Sequence, residues 1–163
     1  MKLGLVITSD KVYLDPKLDK VTDIVRDICS RYELSVERRI VRNDADMIKD
    51  AVLNLCRDND IILVTGGTGL GPRDISIEAL EPMFSKKING FGELFRFLSY
   101  KKIGSKAYLS RATAGLIGNT PVFIVPGKPD AVRLALEDII MPTISHLIEV
   151  IRGYSHWEEK STL

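Results

Sequence analysis

The stretch Ile61 to Asp74 constrains this chain more than any other. It opens with Ile61-Ile62-Leu63-Val64, an apolar run in which three of four residues are β-branched, followed by Thr65 and glycines at 66, 67, 69 and 71. Such a run suits a strand buried on both faces, and the glycines end it abruptly. The glycines allow positive φ and close approach of a ligand, so the amides of Gly66 to Gly69 are candidates to line an anion, with a phosphate the first choice. A tight strand-to-helix turn without a ligand is the competing reading. Arg73 and Asp74 favour the site, because a fixed positive charge and a carboxylate can hold a phosphate and a divalent cation.

Two standard phosphate motifs do not fit. A Walker loop needs Lys-Ser/Thr after its second glycine, and Gly71 is followed by Pro72-Arg73. The dinucleotide fingerprint needs a glycine at position 72 and a place after the first strand, whereas this stretch follows the third predicted strand.

Along the chain, Leu3 to Thr8 reads as a first buried strand, followed by Ser9-Asp10 where a parallel strand would meet a ligand. Local turn or cap bonding explains that pair equally well. Asp15-Pro16 resembles a helix start, with Leu18, Val21, Val25, Ile28, Cys29 and Tyr32 at helical spacing. Val36 to Val41 is a second strand. Asn43-Asp44 then opens a helix with the stripe Ile48, Ala51, Val52, Leu55 and Cys56, and capping alone would account for both polar residues. Strand, helix, strand, helix, strand implies a parallel sheet with ligands at the carboxyl ends of its strands. Ser76 to Phe84 contains a helix limited by Pro82, and a further helix carries Phe91, Leu94, Phe95 and Leu98 on its apolar face. Thr120 to Val125 is another strand, closed by Pro126-Gly127-Lys128-Pro129, a second candidate phosphate contact at a helix start. The last helix holds Ile144, Leu147, Ile148 and Ile151 and stops before Gly153.

At 163 residues the chain suits one domain, expected over 1–153 with a polar tail from 154 to 163. Hydrophobic residues make up 45% and charged residues 28%, and the net charge is +1. That balance argues against wholesale binding to nucleic acid or to an anionic membrane. The N-terminal apolar run is too short for a signal peptide and no stretch suits a membrane span, so a cytoplasmic location is expected. Cys29 and Cys56 lie on apolar helix faces and read as free thiols. Two histidines are too few for a zinc site.

The segment Thr65 to Asp74 closely resembles the Thr-Gly-Gly-Thr-Gly-x-x-x-Arg-Asp signature of the MogA/MoaB family of molybdenum-cofactor biosynthesis proteins, which includes the gephyrin G domain. Two further stretches match family segments: Gly90-Phe91-Gly92-Glu93 with Arg96, and Ser110-Arg111 leading to Ala114-Gly115. The resemblance is closer to the MoaB type. It implies a single-domain, three-layer α/β/α sandwich with a mostly parallel central sheet. It also implies magnesium-dependent adenylylation of molybdopterin by ATP, with release of pyrophosphate. In this reading Asp74, Asp44 and Asn43 are the catalytic candidates, and Asp74 and Asp44 the ligands of Mg2+. ATP and molybdopterin would be bound by Thr65, Gly66, Gly67, Thr68, Gly69, Arg73, Ser110, Arg111, Pro126, Gly127, Lys128, Ser9, Asp10 and Glu93. A homotrimer or homohexamer is implied, with a MoeA-type metal-insertion protein as downstream partner.

Two departures stand out. The family has an acidic residue where this chain has Asn43, and its loop after Ser-Asp is longer and contains a glycine that Lys11 to Asp19 lacks. Asn43 keeps open a non-catalytic MoaB-type binding protein. A CinA-like nucleotide hydrolase fits less well, since Thr68, Arg73 and the single Asp74 differ from that group's loop.

Overall fold

The computed structural model describes residues 1–154. The strands are β1 (Lys2–Thr8), β2 (Ser35–Val41), β3 (Ile61–Thr65), β4 (Lys86–Lys87), β5 (Thr113–Ile117) and β6 (Thr120–Val125). They form one sheet in the order β2-β1-β3-β6-β5-β4. β2, β1, β3 and β6 run parallel, while β5 is antiparallel to β6 and β4 is antiparallel to β5. The mostly parallel α/β sandwich expected from the sequence is therefore what the chain forms.

The alternation of side chains along each strand divides the core into two layers. On one face Leu3, Leu5 and Ile7 of β1 and Ile61 and Leu63 of β3 meet α2 (Thr22–Ser30), α5 (Asn89–Ile103), α6 (Pro129–Arg133) and α7 (Ile144–Ile151). On the other, Val6, Ile62 and Val64 meet α3 (Ala45–Leu55) and α4 (Ser76–Leu80). Gly4 faces this second layer, where a Cβ would lie 3.1 Å from that of Leu55. All five residues of β3 are buried, as a central strand covered on both faces requires. Among the described residues no helix is long and apolar enough to cross a membrane.

Several boundaries differ from the sequence reading. The helix expected from Asp15-Pro16 is only a 3₁₀ turn at Pro16–Leu18, and α2 begins at Thr22 because Asp19 Oδ1 accepts the amides of Val21 and Thr22 at 2.9 and 3.0 Å. Leu18 and Tyr32 are accordingly exposed. The segment after Asp10 is not all loop: Ser9 caps a short helix, α1 (Asp10–Leu14). On α5, Phe91 and Phe95 are buried and Phe91 packs edge-on against Phe123 with ring centroids 4.9 Å apart, but Leu94 is exposed. The strands β4 and β5 escaped the sequence reading because they carry no apolar alternation. Lys86-Lys87 is a charged edge, and Gly115 stands where a Cβ would strike the Phe84 ring. Cys29 is buried and free, and burial pushes its thiol up to about 11. Cys56 is half-buried. Of the polar tail, all but Tyr154 lies outside the described residues.

Phe95 anchors α5 to the sheet at 2% exposure. Phe95→Ala is expected to cost about 4 kcal/mol. Urea unfolding should show a lower midpoint with an unchanged slope.

Candidate functional site

Four parallel strands end along one edge, and their exits bring distant residues together: Asp10 after β1, Asn43 after β2, Gly66 after β3 and Pro126 after β6. Because β5 runs the other way, its first residue Thr113 pairs with Ile124 near the end of β6. That register delivers Ser110 and Arg111 to the same edge. An antiparallel strand unseen in the sequence thus explains how residues more than 35 positions past the glycine loop can reach it.

In the loop the glycines do different jobs. Gly66 and Gly67 have φ of 99° and 63°, a region that L side chains rarely adopt. A Cβ on Gly66 would also strike the Thr8 carbonyl oxygen. Gly69 and Gly71 instead make room for Asp74, whose Oδ2 lies 2.5 and 2.9 Å from where their Cβ atoms would be. The Gly71 amide donates to that same Oδ2 at 3.1 Å, so Asp74 folds back beneath the loop.

The loop's carbonyls are tied inward. Gly66 O accepts from the Ser76 hydroxyl at 2.8 Å and Gly67 O from the Ser76 amide at 3.0 Å. Thr68 O and Gly69 O accept from the Arg111 guanidinium at 3.1 and 2.7 Å. The Gly66 amide is committed to Val125 O at 3.0 Å. The amides of Gly67, Thr68 and Gly69 have no protein acceptor among the described residues. A row of backbone donors without partners, at the end of a buried strand, is what an oxyanion needs.

Asp10 ties three exits together. Its carboxylate accepts the Asn43 amide at 3.1 Å, the Asn43 side-chain NH2 at 3.4 Å and Arg73 Nε at 3.0 Å, with a second, shorter bond from Arg73 Nη2. Arg42 Nε stands 3.7 Å away. The Arg73 guanidinium, foremost, and the Asn43 amide hold this carboxyl below its ordinary value. Arg73, expected on a phosphate, is thus placed on Asp10 at the mouth of the site.

Asn43 points its Oδ1 inward, 3.1 Å from where a Gly67 Cβ would sit, and neither this oxygen nor the buried Thr8 hydroxyl finds a partner among the described residues. The side-chain contact of Asp44 is with its own helix, capping α3 through the Met47 amide at 2.9 Å. Ser9 caps α1 through the Val12 amide at 3.3 Å. Thr65 Oγ1 donates to Pro126 O at 3.2 Å, and a Cβ on Gly127 would lie 3.2 Å from Gly66 Cα. The Pro126-Gly127 turn is therefore seated against the loop, with Lys128 exposed at the start of α6. The Ser110 hydroxyl accepts the nearby Ala112 amide at 3.4 Å.

Beside the loop lies a polar cavity of about 400 Å³. Arg111 forms part of its wall with Glu93, Arg96, Lys87, Glu81 and Thr113. Arg96 is braced by the carbonyls of Ser110 and Ala112 at 3.4 and 3.0 Å, and Lys87 pairs with Glu81 at 3.0 Å. The sequence reading brought Glu93, Arg96 and Arg111 here. It missed Glu81, Lys87 and Thr113, which arrive on β4, β5 and the turn before them. It also missed Glu78, whose carboxylate binds Arg111 and is thereby held below its usual range, while Arg111 is raised. The only local signal for Glu78 was an acidic residue in the first turn of the helix after the loop.

Among the described residues no group of three or more His, Cys, Asp or Glu side chains is gathered to hold a metal ion. Among those residues Asp74 Oδ1 accepts no protein donor, which fits a hard cation whose remaining ligands are phosphate oxygens and water.

Fold and site together define an α/β domain with a glycine loop at the carboxyl edge of its sheet, beside a polar cavity. Residues 4–146 match the family described as "Probable molybdopterin binding domain", and the chain belongs to that family. It is 42% identical over 138 residues to molybdenum cofactor biosynthesis protein B of Staphylococcus carnosus, covering 82% of this chain and 81% of that protein. A crystal structure of a molybdenum cofactor biosynthesis protein B superposes with a TM-score of 0.88 at 38% identity, covering 94% of this chain and 96% of the other. The tungsten cofactor synthesizing protein MoaB from Pyrococcus furiosus gives a TM-score of 0.86 at 35% identity, covering 93% and 96%.

The Asp10 cluster carries a pH signature. A depressed carboxyl contributes stability that is present above its unfolded value and is lost as pH falls through its lower folded value. The Asp10 carboxyl carbon, followed by NMR, should titrate below 3.8, and Arg73→Gln should move that midpoint upward. An unchanged midpoint in the variant would contradict the pairing.

Proposed function

We propose that the chain acts in molybdenum or tungsten cofactor biosynthesis, transferring the adenylyl group of ATP to molybdopterin. The observation that carries this reading is the row of unpartnered amides at Gly67, Thr68 and Gly69 beside the Asp74 carboxylate, next to a polar cavity. In the reaction a phosphate oxygen of molybdopterin forms a bond to the α-phosphorus of ATP. The bond from that phosphorus to the β-phosphate oxygen breaks, and pyrophosphate leaves. Two anions must meet, so the chief requirement is neutralisation of charge. One well-placed donor in such a site is worth about 3 kcal/mol in rate. The loop amides would bind the nucleotide phosphates, with Lys128 and Arg73 at the rim. The cavity walled by Arg96, Arg111 and Glu93 is assigned to molybdopterin, with Ser110 at its approach. No general base is needed, because the attacking phosphate is already ionised at neutral pH.

Asp74 would hold magnesium, and Asp44 could add a second carboxylate oxygen, since its cap uses only Oδ1. When bound, the ion supplies charge neutralisation at the phosphates. Incubation with molybdopterin and MgATP, with detection of adenylyl-molybdopterin, tests the proposal. Gly67→Val should abolish nucleotide binding, since its Cβ would strike the Ser76 hydroxyl. Asp74→Ala should lose nearly all turnover. Asp44→Ala should raise the magnesium requirement if that carboxylate serves the ion, whereas a capping role alone predicts only about 1 kcal/mol of lost stability. Full activity in Asp74→Ala would overturn the mechanism.

A second reading has its own observation. Asn43 offers a buried neutral oxygen where the family has a carboxylate, which suits a MoaB-type protein that binds molybdopterin or nucleotide without turnover. Binding of MgATP with no adenylylated product, restored by Asn43→Asp, would establish it.

We also propose a homotrimer or homohexamer. Support comes from Leu94, Phe97, Tyr100, Ile103, Tyr108 and Leu109, large apolar residues exposed along α5 and the turn after it. Light scattering at micromolar concentration should give a mass of three or six chains, and a monomer would refute the assembly.

A further inference from the structure

Arg111 is poorly placed to grip a ligand, because its donors are already spent. A guanidinium has five N–H groups. Here Nε donates to Thr68 O at 3.1 Å, Nη2 to Gly69 O at 2.7 Å and to Glu78 Oε2 at 3.3 Å, and Nη1 to Glu78 Oε1. One N–H of Nη1 remains. Glu78 sits on α4, the helix that follows the loop, so Arg111 is clamped to the loop at both of its ends. The peptide unit is planar and trans, which sets each N–H opposite the carbonyl of the same unit. Holding Thr68 O and Gly69 O toward the guanidinium therefore turns the amides of Gly69 and Leu70 away from it. Glycine at 69 would otherwise leave both peptide planes free to rotate.

We infer that Arg111, oriented by Glu78, is a positioning residue that fixes the peptide planes 68–69 and 69–70 and so presets two of the loop's donors, the Gly69 and Leu70 amides, for an anion. Its contribution to nucleotide binding rests on the function proposed above, while its hold on the loop does not. Charge is not the operative property. Lysine at 111 keeps the positive charge but cannot span two carbonyls and a carboxylate in one plane.

Two readouts separate these effects. In ligand-free protein, 15N relaxation dispersion of Arg111→Lys should show microsecond-to-millisecond exchange at Gly69 and Leu70 that the native chain lacks, with the melting midpoint moved by only a few degrees. In titrations with MgATP the same variant should bind about tenfold or more weakly, whereas adenosine, which has no phosphate, should bind it as it binds the native chain. Glu78→Gln, a change at an exposed position, should show both effects more mildly, and it decides the matter if Arg111→Lys does not fold. Exchange in the variants with no MgATP binding even by the native chain would uphold the positioning role and refute the proposed function. Quiet amides in the variants, or native MgATP affinity in Arg111→Lys, would overturn the inference.

Discussion

The arrangement at the sheet edge depends on how the loop after β3 satisfies its backbone. β3 is buried along its whole length, so the chain leaves the core with polar groups that need partners near the protein interior. The carbonyls of residues 66 to 69 find them in Ser76, the first residue of α4, and in Arg111, two residues ahead of β5. The amides of 67 to 69 find none among the described residues. This asymmetry gives the loop its character, since a segment with carbonyls bound behind it presents donors in front and favours negative charge.

The same edge is closed laterally by charge. Asp10 joins the exits of β1 and β2 to Arg73 at the far end of the loop, so the glycine segment is held at both ends. Arg73 at the mouth is already paired with Asp10, so in the proposed site the pull on an anion would come from the backbone amides together with Lys128. Asp74, tucked beneath Gly69 and Gly71, brings a second carboxylate to the loop. Two glycines thus serve backbone conformation and two serve the placement of one acidic side chain.

Much of this was legible in the sequence. A continuous apolar run rich in β-branched residues and followed by glycines marks a buried strand and its sharp end, and the spacing of apolar residues marks the buried sides of α3 and α7 and, apart from exposed Leu94, that of α5. Those signals are local. Asp15-Pro16 misled because proline at a first helical position suits a 3₁₀ turn as well as an α-helix, and the choice was made by Asp19 capping α2 farther on. β5 was invisible because Ala114 and Gly115 are small for contact reasons, with Phe84 filling the space in front of Gly115.

The sequence by itself determined that the chain forms an α/β domain with a glycine loop at the end of a buried strand, because burial, periodicity and glycine's freedom are properties of neighbouring residues. Only the tertiary structure decided which side chains that loop would meet. Arg111 reaches Thr68 and Gly69 across more than 40 residues because β5 reverses direction, and Asp10 reaches Arg73 across 63 because parallel strands finish at a common edge. Strand order and direction set those encounters, and they arise from closing the sheet as a whole, which no local stretch of sequence encodes.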